Sequence, residues 1–361
     1  MSAARPQRIG ETVETYLEWR KARGYAESTM KTDNRILRRF ARDMRDIQMR
    51  NLRPSHVENW FYGPGGLTRA HKGDNYGTNI MAPITPATHN QYRSRLAVFF
   101  EWTTKRGLTR HDMLEDVPFQ KVPKRERIRP APDVLLRFLD STDIPRDRAY
   151  LAIAVNSALR TSEIRRMLVG DVDFDYGFIK VRISKGGGED LLPMTQDLEV
   201  ELRRWFEAYE KEIGRPLQDS DYLLPLLTAQ RFSHYETDPE TGKRVLRLTP
   251  RVLDPSKPIK ERTEYIVKRA LEQVGLPTRY EGTHTIRRAV ARAYFDQMSQ
   301  TGGYDSALRA TSALLHHSST LTTERYLGLS VERTRRDKMM RGKPFLTAML
   351  QQTPETEPQP V

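Results

Sequence analysis

Apolar residues recur at helical spacing through the first hundred positions. Ile9, Val13, Tyr16 and Leu17 predict a helix over residues 9 to 23, stopped by Gly24. Ser28 or Thr29 is placed to cap a second helix, with Met30, Leu37, Phe40 and Met44 facing inward and Arg35, Arg38, Arg39, Arg42 and Arg45 on the polar side. A short helix follows Pro54-Ser55, with Trp60 and Phe61 as its core residues. Glycines and prolines with few apolar residues from Gly63 to Pro86 predict a long loop. A fourth helix runs from Thr88 to Lys105, with Tyr92, Leu96, Phe99 and Phe100 inward and Arg93 and Arg95 among its polar residues.

The pattern then changes. Between Pro118 and Pro130 three prolines oppose helix and predict an extended, basic strap that includes Lys121, Lys124 and Arg125. Helical patterns resume near Asp133. Residues 177 to 184 alternate as a strand, turn at the glycines, and resume at Leu191, which puts Lys185 on a β-hairpin. Glu199 to Gly214 reads as a helix, residues 228 to 262 as a polar, turn-rich insertion or arm, and the chain beyond as helices again. Residues 353 to 361 have the composition of a disordered tail. The predicted fold is mainly α with a small β-sheet. Its expected parts are a helical domain over 1–117, a linker over 118–132, a mixed and mostly helical domain over 133–345, and a tail over 346–361.

Length agrees with two domains, since 361 residues exceed one domain of about 100 to 200. The absence of cysteine removes disulfide stapling and fits a reducing compartment. Residues after Met1 form no apolar stretch of signal-peptide or membrane length, so a soluble, cytoplasmic protein is expected. Charge is uneven: residues 1–129 hold 25 Lys+Arg against 14 Asp+Glu, a net of +11 out of +13 for the chain. Such a module is suited to phosphates. A nuclear-localisation patch in the linker ranks well below that.

The densest chemistry lies late in the chain. His284-Thr285-Ile286-Arg287-Arg288 precedes Leu315-His316-His317-Ser318-Ser319, and Tyr326 follows His317 by nine residues. Earlier come Ala158-Leu159-Arg160-Thr161-Ser162-Glu163 and Ser184-Lys185-Gly186. Attack on a phosphodiester concentrates negative charge on its non-bridging oxygens, and arginines are the fixed, paired donors that suit them. A tyrosine hydroxyl needs a base or cations to become a nucleophile, and a departing alkoxide needs a proton. No phosphate-binding glycine loop, magnesium-binding carboxylate cluster or zinc pattern is present in the sequence, so no cofactor or metal is expected.

Taken in order, these four pieces resemble the tyrosine recombinase (phage integrase) family over roughly residues 130 to 345. The resemblance implies a phosphate clamp of Arg160 and Arg287, a proton-accepting or positioning role for His284, a proton donor in Lys185, a phosphate contact from His317, a nucleophile in Tyr326 and a brace for Arg160 in Glu163. It further implies a 3′-phosphotyrosine intermediate and a core DNA-binding domain of four helices. DNA contacts are expected from Arg35, Arg38, Arg39, Arg42, Arg93, Arg95, Lys121, Lys124 and Arg125. The implied partners are double-stranded DNA at core attachment sites, three further copies in a tetramer that exchanges strands through a Holliday junction, and an accessory bending or directionality factor.

Two positions depart from the family pattern: Ala158 stands where glycine is usual, and His316 stands before His317 where Leu-Gly-His is usual. His317 is taken as the functional histidine because it directly precedes the serine pair. The basic residue often found after the hairpin lysine is also missing. The first core-binding helix begins within about ten residues of Met1, which predicts a compact member without an arm-binding domain. Apolar Pro344 to Leu350 is expected to dock on a neighbouring protomer. Phage integration is the favoured role; chromosome-dimer resolution, type IB topoisomerase activity and a non-catalytic DNA-binding regulator stay open.

Overall fold

A computed structural model describes residues 7–64, 66–72, 79–109, 112–123, 127–183, 188–228, 232–237, 240, 242, 244–248, 251–260 and 263–329. The chain divides into two units, residues 1–125 and 126–361. Lys124, Arg125, Lys185 and the tail lie outside the described residues.

The first unit contains α1 (Ile9–Lys21), α2 (Glu27–Asp43), α3 (Pro54–Tyr62), the hairpin β1 (Thr68–Lys72) and β2 (Asn79–Pro83), and α4 (Pro86–Thr104). The apolar stripes that predicted the helices meet in one core, where Val13, Tyr16, Ile36, Leu37, Phe40 and Phe99 have no exposed surface. Tyr16 packs edge-on against both Phe99 and Trp102 at 5.3 Å, a geometry that aromatic quadrupoles favour. Arg20 and Asp33 form a buried pair at 3.0 Å, and Arg95 reaches the other Asp33 oxygen at 3.4 Å, so one carboxylate ties α1, α2 and α4.

Two expectations are corrected here, and the start of the strap gains contacts. Helix α2 starts two or three residues earlier than Ser28 or Thr29 as N-cap would allow, with Ala26 as N-cap and Glu27 supplying the favourable negative charge of the first turn. The segment read as a loop from Gly63 to Pro86 holds the antiparallel β1–β2 pair, in register from Thr68 opposite Pro83 to Lys72 opposite Asn79. Backbone bonds carry that pairing, so its residues need no apolar alternation; Leu67, 4% exposed, is the hydrophobic anchor at its base. The start of the strap is also fastened. Asn90 donates to the Gln120 carbonyl and accepts from the Gln120 amide, both at 2.8 Å, while Arg93 bonds the Val117 carbonyl and covers the Phe119 ring at 4.2 Å.

The second unit begins with α5 (Pro132–Arg137), α6 (Pro145–Ser157) and the single-turn α7 (Thr161–Ile164). A three-stranded antiparallel sheet follows, β3 (Val172–Asp173), β4 (Phe178–Arg182) and β5 (Glu189–Pro193), and then α8 (Gln196–Ile213). Strands β6 (Pro225–Leu227) and β9 (Leu253–Pro258) pair around a hairpin of β7 (Phe232–Thr237) and β8 (Arg244–Leu248), which corrects the expected turn-rich insertion over 228–262. The polar backbone ladder again explains the miss. Helices α9 (Thr263–Gln273), α10 (Thr283–Leu314) and α11 (Thr320–Leu327) complete the unit.

Helix α6 is buried on nearly every side, from Ala149 through Ala154, because α8, α9 and α10 surround it. Its neighbours supply Trp205, Ile179, Val181, Val267 and Ile286 to one core. A smaller cluster of Ala158, Ala291, Phe295, Leu308, Leu315 and Leu327 lies under α11. Helix α10 is broken at Gly303, whose φ of 73° lies in the region glycine tolerates best. The fold is mainly α with small β-sheets. Among the described residues no helix is long and apolar enough to cross a membrane.

Candidate active site

Three chain reversals bring the late motifs together. Helix α6 ends at Ala158 in the left-handed conformation (φ 51°, ψ 20°), which turns the chain toward Arg160. A β-carbon there costs about 1 kcal/mol, the physical reason glycine is usual at this position. Arg160 then caps α7, and Glu163 folds back on it: the Arg160 amide donates to one carboxylate oxygen at 2.8 Å and the guanidinium to the other at 2.9 Å. The Glu163 side chain is completely buried.

Arg287 comes from the second turn of α10 and is 3% exposed. It donates to the Ala158 carbonyl and, at 2.7 Å, to the Leu315 carbonyl, and it approaches Glu163 at 3.9 Å. One guanidinium thus joins the end of α6, the start of α10 and the turn after it. Arg160 and Arg287 share one buried counter-charge.

The turn after α10 places the two histidines differently. His316 adopts φ 49°, so it occupies the left-handed site where the family has glycine. Its Nε2 meets Asp190 of β5 at 2.8 Å. His317 bonds Thr323 through Nδ1 at 2.9 Å and sets its ring edge-on to the Tyr326 ring, centroids 5.6 Å apart. The Tyr326 hydroxyl is buried and no donor or acceptor meets it at good hydrogen-bonding geometry, although the Arg287 guanidinium is close enough to act on it.

Burial and the positive charges of Arg287, Arg288 and Arg160 push the His284 pKa below its ordinary value of 6.5, so its imidazole is neutral near neutral pH. Burial raises the Tyr326 pKa, and the attraction of Arg287, Arg288 and Arg160 offsets only part of that rise. The Arg287 pKa falls to about 10, first through burial and then through repulsion by Arg160. A cleft of about 460 Å³ opens beside these groups, lined by His284, Arg288, Tyr326, Lys268 and Arg127 among others.

Sequence reasoning missed the support on this cleft's far side. Glu281, 7% exposed, accepts from Thr285 at 2.7 Å and from Arg288 at 2.9 Å, with Arg127 at 3.7 Å. The spacing offered a signal for Arg288, since His284 and Arg288 are four apart and share a helix face. Among the described residues no three histidine, aspartate or glutamate side chains are grouped as metal ligands. Lys185 belongs to the stretch between β4 and β5 that lies outside the described residues.

The candidate DNA-binding arginines are engaged to different degrees. Arg35, Arg38, Arg39 and Arg42 line one shallow concavity on α2. Arg35 bonds the Tyr92 hydroxyl at 3.2 Å, Arg38 pairs with Glu14 at 2.8 Å, Arg39 donates to the Thr68 carbonyl at 2.8 Å, and Arg42 remains 75% exposed beside Asp43. Arg93 and Arg95 serve internal contacts, the first with Val117 and Phe119 and the second with Asp33. Lys121 is exposed.

Glu163→Gln keeps the shape of the brace and removes its charge. A loss of about 2 kcal/mol in unfolding free energy is expected, the scale of a hydrogen bond to a charged group, measured by urea denaturation. An unchanged midpoint would show that Arg160 and Arg287 do not need the shared carboxylate.

Comparison with known proteins agrees with this geometry. The family model described as the phage integrase family matches residues 131–333. The chain is 29% identical over 102 residues to the tyrosine recombinase XerA of Pyrococcus furiosus, covering 28% of this chain and 32% of that protein. It is 25% identical over 260 residues to an integrase/recombinase of Escherichia coli, 67% of this chain and 71% of that one. The match to the tyrosine recombinase XerC of Chlamydia muridarum is 29% over 194 residues, 54% and 50% of the two chains. The alignments thus span from about a third to about seven tenths of these relatives. Among solved structures, a lambda integrase dimer bound to a COC′ core site aligns at TM-score 0.58 and 16% identity, covering 89% of this chain and 77% of that one. The Tn1549 transposon integrase, in complex with circular intermediate DNA, aligns at TM-score 0.58 and 14% identity, covering 93% and 100%. With the family model spanning more than half its length, the chain belongs to the phage integrase family of tyrosine recombinases.

Proposed function

We propose that this protein is a site-specific DNA recombinase acting in phage integration and excision. The observation that carries it is the pair Arg160 and Arg287, sharing one buried carboxylate beside a buried tyrosine hydroxyl and a neutral histidine. Tyr326 Oη attacks the scissile phosphorus and gives its proton to His284. The P–O5′ bond breaks, a 3′-phosphotyrosine forms, and Lys185 protonates the departing 5′ oxygen. Arg160, Arg287 and His317 hold the non-bridging oxygens, where charge accumulates. A 5′ hydroxyl from a second duplex reverses the step, so the phosphodiester energy is conserved in the covalent bond.

Residues 1–117 form the core-binding domain on double-stranded DNA, 118–132 the strap to the catalytic domain over 133–345, and 346–361 a C-terminal tail, with the apolar segment Pro344 to Leu350 docking on a neighbouring copy. Among the described members of the arginine and lysine set, Arg42, 75% exposed, and the exposed Lys121 are available phosphate contacts. Four copies exchange strands through a Holliday junction, with an accessory bending or directionality protein, in the cytoplasm of a bacterial host. A lambda integrase tetramer bound to a Holliday junction supports that assembly by its fold likeness, TM-score 0.58 at 15% identity. The XerC likeness favours chromosome-dimer resolution as the second role.

The test is denaturing capture of protein linked to nicked phage and bacterial genomic fragments in EDTA, with the linked peptide mapped. An adduct on Tyr326 is expected, and sequencing the captured DNA gives the site. Specific footprints without any adduct would leave a DNA-binding regulator instead. Product junctions separate the roles: two different sites for integration, two copies of one site for resolution, and relaxation without junctions for a topoisomerase.

The pH profile gives a second expectation. His284 accepts a proton only when neutral, and its pKa lies below 6.5, so the single-turnover cleavage rate should hold as pH falls to 6.5 and drop only below it. His284→Gln should flatten that limb. A wild-type limb centred above 6.5 would assign the base to another group. The same depressed pKa makes stability decline as pH falls from 6.5 toward the folded-state value, because only the unfolded chain gains the proton in that window.

A further inference from the structure

The pair His316–Asp190 joins two parts of the site that are far apart in sequence. His316 sits between the Leu315 carbonyl, which accepts from Arg287 at 2.7 Å, and His317, whose ring faces Tyr326. Its backbone is held in the left-handed conformation, where a side chain is a burden and glycine is the relaxed choice. The side chain is 8% exposed, and it spends its one outward bond on the Asp190 carboxylate. Since a carboxylate accepts, Nε2 carries the proton; Nδ1 is buried with no hydrogen-bond partner. The bond to Asp190 is therefore what the His316 side chain contributes at this strained position.

Asp190 is on β5, opposite Val181 of β4. Its second oxygen accepts from the Leu191 amide at 2.9 Å, which fixes the carboxylate for His316. One position nearer the turn in β4, Arg182 is bonded to both oxygens of Asp171 at 2.5 and 2.8 Å. The hairpin is therefore anchored on one side to Asp171 and on the other to the turn that carries His317. Lys185 follows Arg182 by three residues and precedes Asp190 by five.

On the assignment of Lys185 as proton donor, we propose that His316 and Asp190 are positioning residues: their bond sets the β4–β5 hairpin against the His317 turn, so that leaving-group protonation and nucleophilic attack act on one phosphate. The pair takes over, by a side-chain bond, a register that a glycine at 316 would leave to the hairpin alone.

The experiment compares full-length wild type, Asp190→Asn, His316→Gly and Lys185→Ala on duplexes of the captured site. Each duplex carries either the ordinary 5′ oxygen or a bridging 5′ sulfur at the scissile phosphate. A thiolate leaves without a proton, so the sulfur substrate bypasses the donor. Asp190→Asn and His316→Gly are expected to slow cleavage of the oxygen substrate by about tenfold or more and to cut the sulfur substrate within about threefold of wild type, with DNA affinity unchanged. Equal slowing on both substrates, or no slowing on oxygen, overturns the proposal; the first result would make the pair a brace for Arg287 and His317 only. Lys185→Ala separates the two assignments. If sulfur does not restore its cleavage, the proton-donor assignment fails and the proposal falls with it. If sulfur restores Lys185→Ala but neither pair variant, the positioning proposal alone is wrong.

Discussion

Tyr326→Phe is expected to abolish the covalent DNA adduct and to leave the protein as stable as wild type or about 1 kcal/mol more stable. The chemical half follows because phenylalanine has no oxygen to bond phosphorus. The stability half follows from the site: the hydroxyl is buried, burial dominates its raised pKa, and no partner meets it at good geometry. A desolvated, unbonded hydroxyl costs about 1 to 3 kcal/mol, and removing it recovers part of that cost. The ring contacts with His317 and the cluster under α11 remain. Covalent capture and thermal unfolding on the same sample check both halves. A residual adduct would place the nucleophile elsewhere; a clear loss of stability would mean that the hydroxyl has a strong partner in solution.

Arg287→Ala is expected to fail in both respects. The variant leaves the Ala158 and Leu315 carbonyls without the Arg287 donor and removes one of the two arginines beside Glu163. Breaking a buried charged network from one side costs about 3 to 5 kcal/mol, and cleavage should fall at least about a thousandfold through loss of one clamp arm. Urea denaturation with single-turnover cleavage under native conditions gives the two numbers. Arg287→Lys separates them. A lysine has one ammonium for two carbonyls, so it restores part of the stability and little of the rate. Full catalytic rescue by lysine would show that charge alone, without a paired donor geometry, is sufficient.

The helical architecture was legible because its apolar stripes are periodic and its ends carry helix signals: Gly214 terminates α8 in the left-handed conformation, as expected of the residue that ends a helix. The β1–β2 hairpin and the strands between residues 225 and 258 were not legible, because each is only three to six residues long and mixes apolar with polar residues and prolines without sustained alternation. Arg160, His284, Arg287, His317 and Tyr326 lie together in the structure, while Lys185 is outside the described residues. The two departures at Ala158 and His316 acquire a common meaning only in three dimensions, since both fall at positive φ. Glu281 was invisible because its importance lies in partners on either side of it, Arg127 and Arg288, and not in any local motif. The arginines of α4 looked like a DNA-facing row, yet a one-dimensional pattern cannot distinguish an arginine turned to solvent from one closed over Phe119 or paired with Asp33.

Arg287 also links anion binding to the stability of the fold. Its pKa is pulled down to about 10, first by burial and then by Arg160, so two cations lie close together beside one shared carboxylate. A bound phosphodiester is the anion that relieves this crowding, and by mass action it must stabilise the fold as it binds. Folding and substrate binding are then two legs of one thermodynamic cycle. On the proposed function, a DNA phosphate seated between Arg160 and Arg287 raises the unfolding free energy of the domain in addition to making its own contact.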